Sequence, residues 1–333
     1  MIWTTFRQFR TQGAIGLVAI MAAAAYLIAL GVSIRHSFNG MLGGCVSTGC
    51  TPDAIENFTG KYDTIVSISN ILLMAVSGLV GVFWGAPLIS NEFAAGTQRL
   101  AWAQGVTRRR WLTVKLLVVG LVAAALTGAT ALLLNWSVTR YDFVEANRFS
   151  PWVFGARGFV PLAYALFAFT LGAAAGVLLR RPVPAMGLTL AIFVVLQFLI
   201  PTAVRPHFAR PVTAAIALDS VAVRNADSIR TTDGGKKLII TGVSLPNAWV
   251  LDATQVVDAQ GDPPGEAILD QCIKPDQFRK TLTCFARRNL HVTATYQPAA
   301  RFWPFQTAES ALYLMLTALL GYLCFWSVRR RAT

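Results

Sequence analysis

Charged residues are scarce in this chain. Asp, Glu, Lys and Arg make up 14% of its 333 residues, whereas a soluble domain averages about 25%. Hydrophobic residues account for 55% of the chain, and its mean hydropathy is +0.53. A folded surface this poor in charge indicates that much of the protein faces lipid rather than water.

Motifs for catalysis and nucleotide binding are also missing from the sequence. A P-loop requires Gly-x-x-x-x-Gly-Lys followed by Ser or Thr. The nearest approach, Gly235-Lys236, is followed by Lys237 and has Arg230 in place of the first glycine. His-Glu-x-x-His and Gly-x-Ser-x-Gly do not occur, and the three histidines are scattered. We therefore expect no enzyme, no metal site and no cofactor in this chain.

Six apolar runs are long enough, at roughly 20 residues each, to cross a bilayer as helices. They cover residues 14–34, 65–89, 111–137, 159–179, 183–204 and 306–328. The sequence therefore predicts an all-α membrane protein with six transmembrane helices. The first run is long enough to remain in the membrane, so we expect no removable signal peptide.

Basic residues are concentrated in alternate connections between these runs. Twelve of them lie in one set of connections, where Glu92 is the only acid. They are Arg7, Arg10, Arg99, Arg108, Arg109, Arg110, Lys115, Arg180, Arg181, Arg329, Arg330 and Arg331. The positive-inside rule then predicts a multi-pass membrane protein with both termini in the cytoplasm. The net charge of +13 is attributed to the connections that determine membrane orientation rather than to a nucleic-acid binding surface.

The polar segment 205–303 separates residues 1–204, with five predicted helices, from residues 304–333, with the sixth helix and a basic tail. Its β-like stretches 237–241 and 291–296 predict a small mixed extracytoplasmic domain. This domain could gate an exit or receive a substrate, but nothing in its sequence names a ligand, and a structural lid is the favoured interpretation.

Cysteines lie mainly on the predicted outer side. Cys45 and Cys50 are in the first outer loop, and Cys272 and Cys284 are in the 205–303 segment. An oxidising compartment favours two local disulfides, Cys45–Cys50 and Cys272–Cys284. Free thiols and cross-pairing between the two loops remain alternatives, because spacing does not determine connectivity.

The N-terminal residues 2–12 have a helical pattern of their own. Trp3 and Phe6 recur with other apolar residues at helical spacing, and Arg7 and Arg10 lie elsewhere. The pattern predicts an amphipathic helix at the inner membrane interface, and the alternative is a frayed basic tail.

Polar groups inside the apolar runs are neutral. Asn70, Asn135 and Gln197 are candidates for a substrate path, although interhelical hydrogen bonding is the favoured explanation. The central parts of runs two, four and five contain no ionisable residue, whereas ion-coupled transporters need an ionisable relay. Energy for transport would then come from a partner ATPase.

The segment between the second and third runs is too polar to span a bilayer. It contains Glu92-Phe-Ala-Ala-Gly96-Thr97, followed by Gln104-Gly-Val-Thr-Arg108-Arg-Arg-Trp-Leu-Thr-Val-Lys115. In this order and spacing the chain resembles ABC-2 type permeases, which show Glu-x-x-x-Gly-Thr after the second helix, then a small-polar-Arg element and a Lys entering the third. Residues 296–306 and Glu309 are also similar to such permeases from high-GC Gram-positive bacteria.

The resemblance implies a permease subunit of an ATP-binding cassette transporter, in which the 90–110 loop forms a coupling helix docked on a separate ATPase. It implies two ATP-binding subunits, which would bind ATP and Mg, and a second permease copy, which we expect to form a homodimer within the lipids of a bacterial plasma membrane. The substrate expected for such apolar helices is lipophilic or amphipathic, and export is the expected direction. The implied coupling residues are Glu92, Gly96, Thr97, Arg99, Leu100, Trp102, Arg108, Arg109 and Arg110.

The residues of the loop support the same interpretation. Gly96 permits a kink or a close approach, Leu100 and Trp102 offer apolar contact, and the arginines suit an acidic rim. A loop that merely satisfies the positive-inside rule would explain the arginines but not Gly96, Thr97 or Trp102. We further expect Glu92 to pair with Arg7, Arg10 or an arginine of its own loop.

A second hypothesis comes from another class of protein. The chain could be a membrane sensor or assembly protein that binds a ligand through its outer domain and has no ATPase partner. Co-purification with or without an ATP-binding protein separates the two hypotheses.

Overall fold

The computed structural model describes residues 2–45, 49–96, 107–217, 228–232, 237–241, 245, 247–258, 260–272 and 278–330. The chain divides into two compact units. The first comprises Met1–Glu145, Pro151–Arg205 and Pro304–Thr333, and the second comprises Ala146–Ser150 and Pro206–Trp303. Residues 146–150, which the sequence did not assign to the polar domain, thus belong to the second unit, whereas Arg205 belongs to the first.

Long helices form the first unit. In chain order up to the second unit, its elements are α1 (Ile2–Met41), α2 (Pro52–Val80), a π-helical turn (Gly81–Gly85), α3 (Ala86–Ala95), α4 (Arg108–Glu145), α5 (Pro151–Phe154), α6 (Val160–Leu179), α7 (Pro182–Leu199), a second π-helical turn (Ile200–Val204) and a 3₁₀ turn that begins at Arg205. Local chemistry explains where they begin and end. Thr51 caps α2 by accepting from the Ala54 N–H at 3.4 Å, with Pro52 at the first helical position.

An antiparallel sheet forms most of the second unit. Its strands are β1 (Val212–Ala217), β2 (Ser228–Thr232), β3 (Lys237–Thr241), β4 (Trp249–Val257) and β5 (His291–Gln297), in the order β1-β5-β4-β3-β2. Two short helices, α8 (Glu266–Cys272) and α9 (Phe278–Arg287), lie between β4 and β5 in sequence. Phe285, Leu290 and Val292 are among its buried residues. Strands β3 and β5 coincide with the stretches that the sequence predicted as β-like.

The last helix, α10 (Phe302–Arg330), returns the chain to the first unit. Among the described residues, six helical segments are long and apolar enough to cross a membrane. They are Val18–Met41, Asp53–Ala95, Arg108–Glu145, Val160–Leu179, Pro182–His207 and Ala299–Arg330, called the first to the sixth span below. The prediction of an all-α membrane protein with six transmembrane helices and a small sheet-containing domain is confirmed.

Helix α1 is continuous from its first turn to the end of the first span. It has 40 residues and is therefore about 60 Å long, twice the roughly 30 Å of a bilayer core. Residues 2–12, predicted as a separate interfacial helix, are instead the first turns of α1, because no proline interrupts the helical pattern up to the first span. The side chains of Trp3, Phe6, Arg7 and Arg10 lie outside the described set, so their membrane contact stays a prediction.

Helix α6 is the centre of the first unit. In the most apolar stretch of the fourth span, 72% of the residues are buried within the protein, compared with 17–50% in the other five spans. Its small residues bring it against the backbone of the π-helical turn 81–85: a Cβ on Gly81 would overlap the Ala168 carbonyl oxygen, and one on Gly172 would lie 2.7 Å from the Ala86 nitrogen. Small residues at such contacts allow helices in lipid to pack at backbone distance.

The end of the first unit that carries residues 45–50 is held by polar contacts. The hydroxyl of Tyr62 lies 2.9 Å from Ser33 Oγ and 2.7 Å from Ser37 Oγ, which joins α1 to α2. Tyr141 donates to Asp63 at 3.0 Å, which joins α4 to α2. Apart from Ser33, the residues in these contacts lie where the helices extend beyond their apolar runs.

Both predicted disulfides are present in the structure. Cys45 and Cys50 are bonded with their Cα atoms 4.8 Å apart, and Cys272 and Cys284 with theirs 5.5 Å apart. The fifth cysteine, Cys324, is free and buried. The local pairing is confirmed over cross-pairing and over four free thiols.

The backbone contact around Gly172 predicts a strong dependence of stability on glycine at this position. Gly172→Val should destabilise the purified protein by about 2 kcal/mol or more, because overpacking a close contact forces the helices apart. Gly187→Val is the matched control, since a Cβ there meets nothing within 4 Å. The measurement is the thermal unfolding midpoint in detergent, and equal midpoints for the two variants would contradict the backbone contact.

Candidate coupling site

The segment between the second and third spans is bounded by two defined caps. Helix α3 ends at Gly96, which has a left-handed φ of +69° and donates its N–H to the Phe93 carbonyl at 3.4 Å. Glycine suits this place because it adopts positive φ without strain. Helix α4 begins after Thr107, whose hydroxyl accepts from the Arg110 N–H at 3.3 Å. A defined helix end and a defined helix start therefore bound residues 97–106.

A buried ion pair joins helix α3 to helix α4. Lys115 of α4 donates to the Glu92 carboxylate of α3, and their side chains are 4% and 13% exposed. The Lys115 ammonium also lies 5.0 Å from the centre of the Trp111 ring. Because this ion pair has little contact with solvent, removing either partner would leave a buried charge and lower the stability of the protein.

Two aromatic rings pack together beside the ion pair. Phe93 packs edge-on against Trp111, with ring centres 6.4 Å apart, and the Arg180 guanidinium lies 5.6 Å from the Phe93 ring centre. Glu92, Phe93, Trp111 and Lys115 are called the loop anchor below. Trp111 also belongs to a buried cluster that includes residues of α6 and α10. The loop anchor thus connects the base of the 97–106 segment to four helices: α3, α4, α6 and α10.

The predicted pairing of Glu92 requires a correction. Among the described residues, Glu92 forms its ion pair with Lys115 and not with an arginine. Lys115 lies two turns inside α4, and its ammonium faces α3. The side chains of Arg7, Arg10 and Arg99 lie outside the described set. Lys115 had been singled out in the sequence motif but not as the partner of Glu92.

The other predicted coupling residues fall into two groups. Arg109 and Arg110 are exposed in the first turn of α4, and Arg108 is half-buried beside them. Thr97, Arg99, Leu100 and Trp102 lie outside the described residues, so their part in docking stays a prediction. For Gly96 the structure shows a helix end, and a Cβ there would meet no described atom within 4 Å.

A family model described as ABC-2 membrane transporter related matches residues 17–205, which is more than half of the chain. The chain belongs to this family. No curated protein matches it, and no solved structure does. The match begins in α1 and ends at Arg205. After this residue the chain enters the long segment of the second unit, Pro206–Trp303. The match therefore contains the loop anchor and the whole segment between the second and third spans.

Membership identifies the chain as a permease of the ABC-2 type, a membrane transport component that is generally non-catalytic and that in general works with an ATP-binding partner. Six apolar helices and the family make it a multi-pass membrane protein. The resemblance to ABC-2 type permeases that the sequence showed is confirmed.

The candidate path residues of this permease differ in their surroundings. Asn70 is 1% exposed and accepts from Arg157 at 2.6 Å, and Arg157 also donates to Asp142 at 2.7 and 3.0 Å. These bonds favour the packing role for Asn70. Asn135 is half-buried in α4. In Gln197 of α7 both amide atoms are buried and, among the described residues, have no hydrogen-bond partner.

Among the described residues, the most deeply buried ion pair of the permease is one that the sequence did not predict. Arg205 and Glu309 are both fully buried, and the Arg205 Nε and Nη2 atoms donate to the two Glu309 oxygens at 2.7 and 2.9 Å. Tyr164 of α6 donates to the same carboxylate. The available signal was one ionisable residue at the end of the fifth apolar run and one near the start of the sixth.

The loop anchor predicts a pattern for single and double variants of its ion pair. Lys115→Met should lower the free energy of unfolding by about 3 kcal/mol or more, because it leaves the Glu92 charge buried without a partner. Glu92→Met combined with Lys115→Met should recover most of this loss, since an apolar pair of similar size needs no counter-charge.

The thermal unfolding midpoint measures both effects. Arg109→Met is the matched control, because this arginine is exposed in the first turn of the same helix, and it should change stability by less than about 0.5 kcal/mol. A double variant no more stable than Lys115→Met would show that Glu92 and Lys115 act independently.

Proposed function

We propose that the chain is the transmembrane subunit of an ATP-driven exporter of lipophilic or amphipathic molecules. A separate ATP-binding cassette subunit docks on the 90–110 loop, binds ATP and Mg, and supplies the energy. Two permease copies, forming a homodimer in the membrane lipids, work with two such subunits. The permease changes conformation without hydrolysing ATP itself.

The loop anchor is the observation that carries this proposal. A docking loop can transmit force only if its base moves together with the transmembrane helices. Glu92 and Lys115 connect α3 to α4 through a buried pair, and Trp111 packs in a cluster with α6 and α10. A push on residues 97–106 would therefore reach four helices at once.

Charge supports a partner at this end of the permease. Arg109 and Arg110 are exposed beside the loop, and the same end carries the basic connections that the positive-inside rule assigns to the cytoplasm. The proposed topology places both termini and the loop in the cytoplasm of a bacterial cell, where ATP is available. Exposed arginines there complement an acidic rim on a docked ATPase.

The spans favour an apolar or amphipathic cargo. Large hydrophobic side chains remain exposed along several spans, such as Leu121, Leu132 and Val183, and face lipid in the proposed membrane setting. A molecule that partitions into lipid can approach such helices from within the bilayer. Export as the direction of transport rests on the resemblance to ABC-2 exporters.

The first test is co-purification with an ATP-binding protein, followed by charge reversal. Changing Arg108, Arg109 and Arg110 to Glu should reduce the recovered ATPase at least fivefold, while membrane insertion is unchanged. Changing Arg329, Arg330 and Arg331 to Glu makes the same charge change outside the loop and should leave the ATPase bound. A permease isolated without any ATP-binding protein would favour the sensor hypothesis instead.

Gly96 allows a second test of docking. Gly96→Trp should lose the ATPase or uncouple ATP hydrolysis from transport, because a bulky ring would stand at the start of the docking segment. Gly96→Ala shares the strain of a side chain at positive φ, which is about 1–2 kcal/mol, but adds little bulk. It should therefore keep the ATPase bound. If Gly96→Trp retains full ATP-driven transport, the 90–110 loop is not the coupling element.

A further inference from the structure

Buried polar atoms without partners are concentrated on the fifth and sixth spans. Among the described residues, eight buried side-chain nitrogen or oxygen atoms have no hydrogen-bond partner, and only Asn247 Oδ1 lies in the second unit. The others are both amide atoms of Gln197, Arg205 Nη1, Gln306 Oε1, Ser310 Oγ, Tyr313 Oη and Ser327 Oγ. The remaining spans contribute none in the part of the chain that the structure describes.

Three of these residues share one face of α10 with Glu309. Gln306, Ser310 and Tyr313 follow one another at intervals of four and three residues, which places their side chains on the same side of a helix. This face is anchored at both of its ends. Gln306 donates to the Phe154 carbonyl at 3.0 Å, and the Tyr313 ring packs edge-on against Tyr164 with centres 4.6 Å apart.

The Arg205–Glu309 ion pair is at the middle of this face. Arg205 lies over the Phe154 ring, with its guanidinium carbon 4.0 Å from the ring centre. Two of its nitrogens bind Glu309, which leaves Nη1 as a buried donor without an acceptor. The set formed by Arg205, Gln306, Glu309, Ser310 and Tyr313 is called the polar face below.

Packing alone does not account for the polar face. A buried ion pair is often no more stable than an apolar pair of the same volume, and each buried polar atom without a partner is unfavourable. Ionisable residues within transmembrane segments therefore point to a functional site. The expected occupant is a group that completes the missing hydrogen bonds.

Two candidate occupants fail on geometry or chemistry. A second permease copy cannot reach these atoms by docking on the surface, since they are already buried within one chain. Lipid tails reach the spans but offer no hydrogen bonds. The occupant must be a small polar group that enters when the helices move.

We propose that the polar face lies on the transport pathway and binds the polar group of the transported molecule when the fifth and sixth spans separate. The inference rests on the proposed export function and adds the site and the chemistry of recognition. Its unpartnered atoms comprise a guanidinium N–H, two hydroxyls and one amide oxygen. Because Glu309 already neutralises Arg205, the group that fits is uncharged and bears oxygen atoms, such as a hydroxyl, ester or amide.

Thiol accessibility tests whether the polar face opens. Ser310→Cys in a Cys324→Ser background provides one free thiol, because the other four cysteines form disulfides. The complex with its ATPase is treated with N-ethylmaleimide without nucleotide and after trapping with ATP and vanadate. Ser310 is 6% exposed in this structure, so we expect slow labelling in one state and at least tenfold faster labelling in the other.

Thr307→Cys in the same background is the matched control, because Thr307 is exposed on the same helix and should react equally in both states. A complex that hydrolyses ATP while Ser310→Cys reacts at one rate throughout would overturn this inference and leave the proposed function standing. Absence of any ATP-binding partner would overturn both. If Ser310→Cys fails to insert, Gln306→Cys repeats the measurement one turn earlier.

Three probes with one acyl chain test the chemistry of the bound group. Monooleoylglycerol, oleate and oleylamine carry a neutral, an anionic and a cationic head. The complex is placed in lipid vesicles that contain one of the probes. In the state in which Ser310→Cys is labelled faster, monooleoylglycerol should slow the labelling at least threefold more than either charged probe. Stronger protection by a charged probe, or equal effects of all three, would contradict a site for an uncharged polar group.

Discussion

The close contact between the second and fourth spans is the constraint on which the first unit depends. Gly81 and Gly172 bring the two backbones together, and a Cβ on Gly176 would lie 2.6 Å from the Ala86 carbonyl oxygen. Helix α3 therefore leaves the π-helical turn already packed on α6. Glu92 follows within two turns, so its direction toward α4 is determined by this backbone contact. In lipid, where apolar burial gives little drive for helices to associate, such packing replaces the hydrophobic effect.

That constraint makes the base of the 97–106 segment rigid. Glu92 and Lys115 have little exposure to solvent, Trp111 lies beside the Lys115 ammonium, and Phe93 packs against Trp111. Breaking the pair would expose a charge to an apolar surrounding, so α3 and α4 are expected to move together. A coupling loop needs this property, because a flexible base would absorb the displacement that an ATPase imposes. The basic residues beside the loop determine which partner binds, whereas the anchor determines whether its movement is transmitted.

The sequence predicted the features that the lipid environment imposes on any chain. Six runs of apolar residues predicted six spans, because a backbone in lipid must satisfy its own hydrogen bonds. Arg180-Arg181-Pro182 predicted the break that the structure places between Leu179 and Pro182. The helices continue well past the apolar runs, as the 38 residues of α4 show, because polar residues at helix ends can be solvated. Periodicity in a single sequence does not report where such an extension stops.

Pairings between distant residues could not be predicted in the same way. Glu92 had several basic residues available, and only the packing of α3 on α6 selects Lys115. Arg205 and Glu309 are 104 residues apart in sequence, with nearly all of the second unit between them. Neither interrupts an apolar run strongly, since each lies near the end of one. Their pairing depends on how α10 returns to α6, which is a property of the tertiary fold and not of either segment.

Helix α6 connects the loop anchor to the Arg205–Glu309 ion pair. Tyr164 binds the Glu309 carboxylate, and Val177 lies in the cluster that holds Trp111 of the loop anchor. These residues are thirteen positions apart, about 20 Å along the helix axis. Because α6 is the most buried span and its small residues touch the backbone of the second span, it cannot bend without opening those contacts. A displacement at the loop anchor would then be carried along α6 to Tyr164, and along α10, which packs in the same cluster as Trp111. Both helices that hold the Glu309 carboxylate and its Tyr164 partner are thus connected to the loop on which the ATPase is proposed to push.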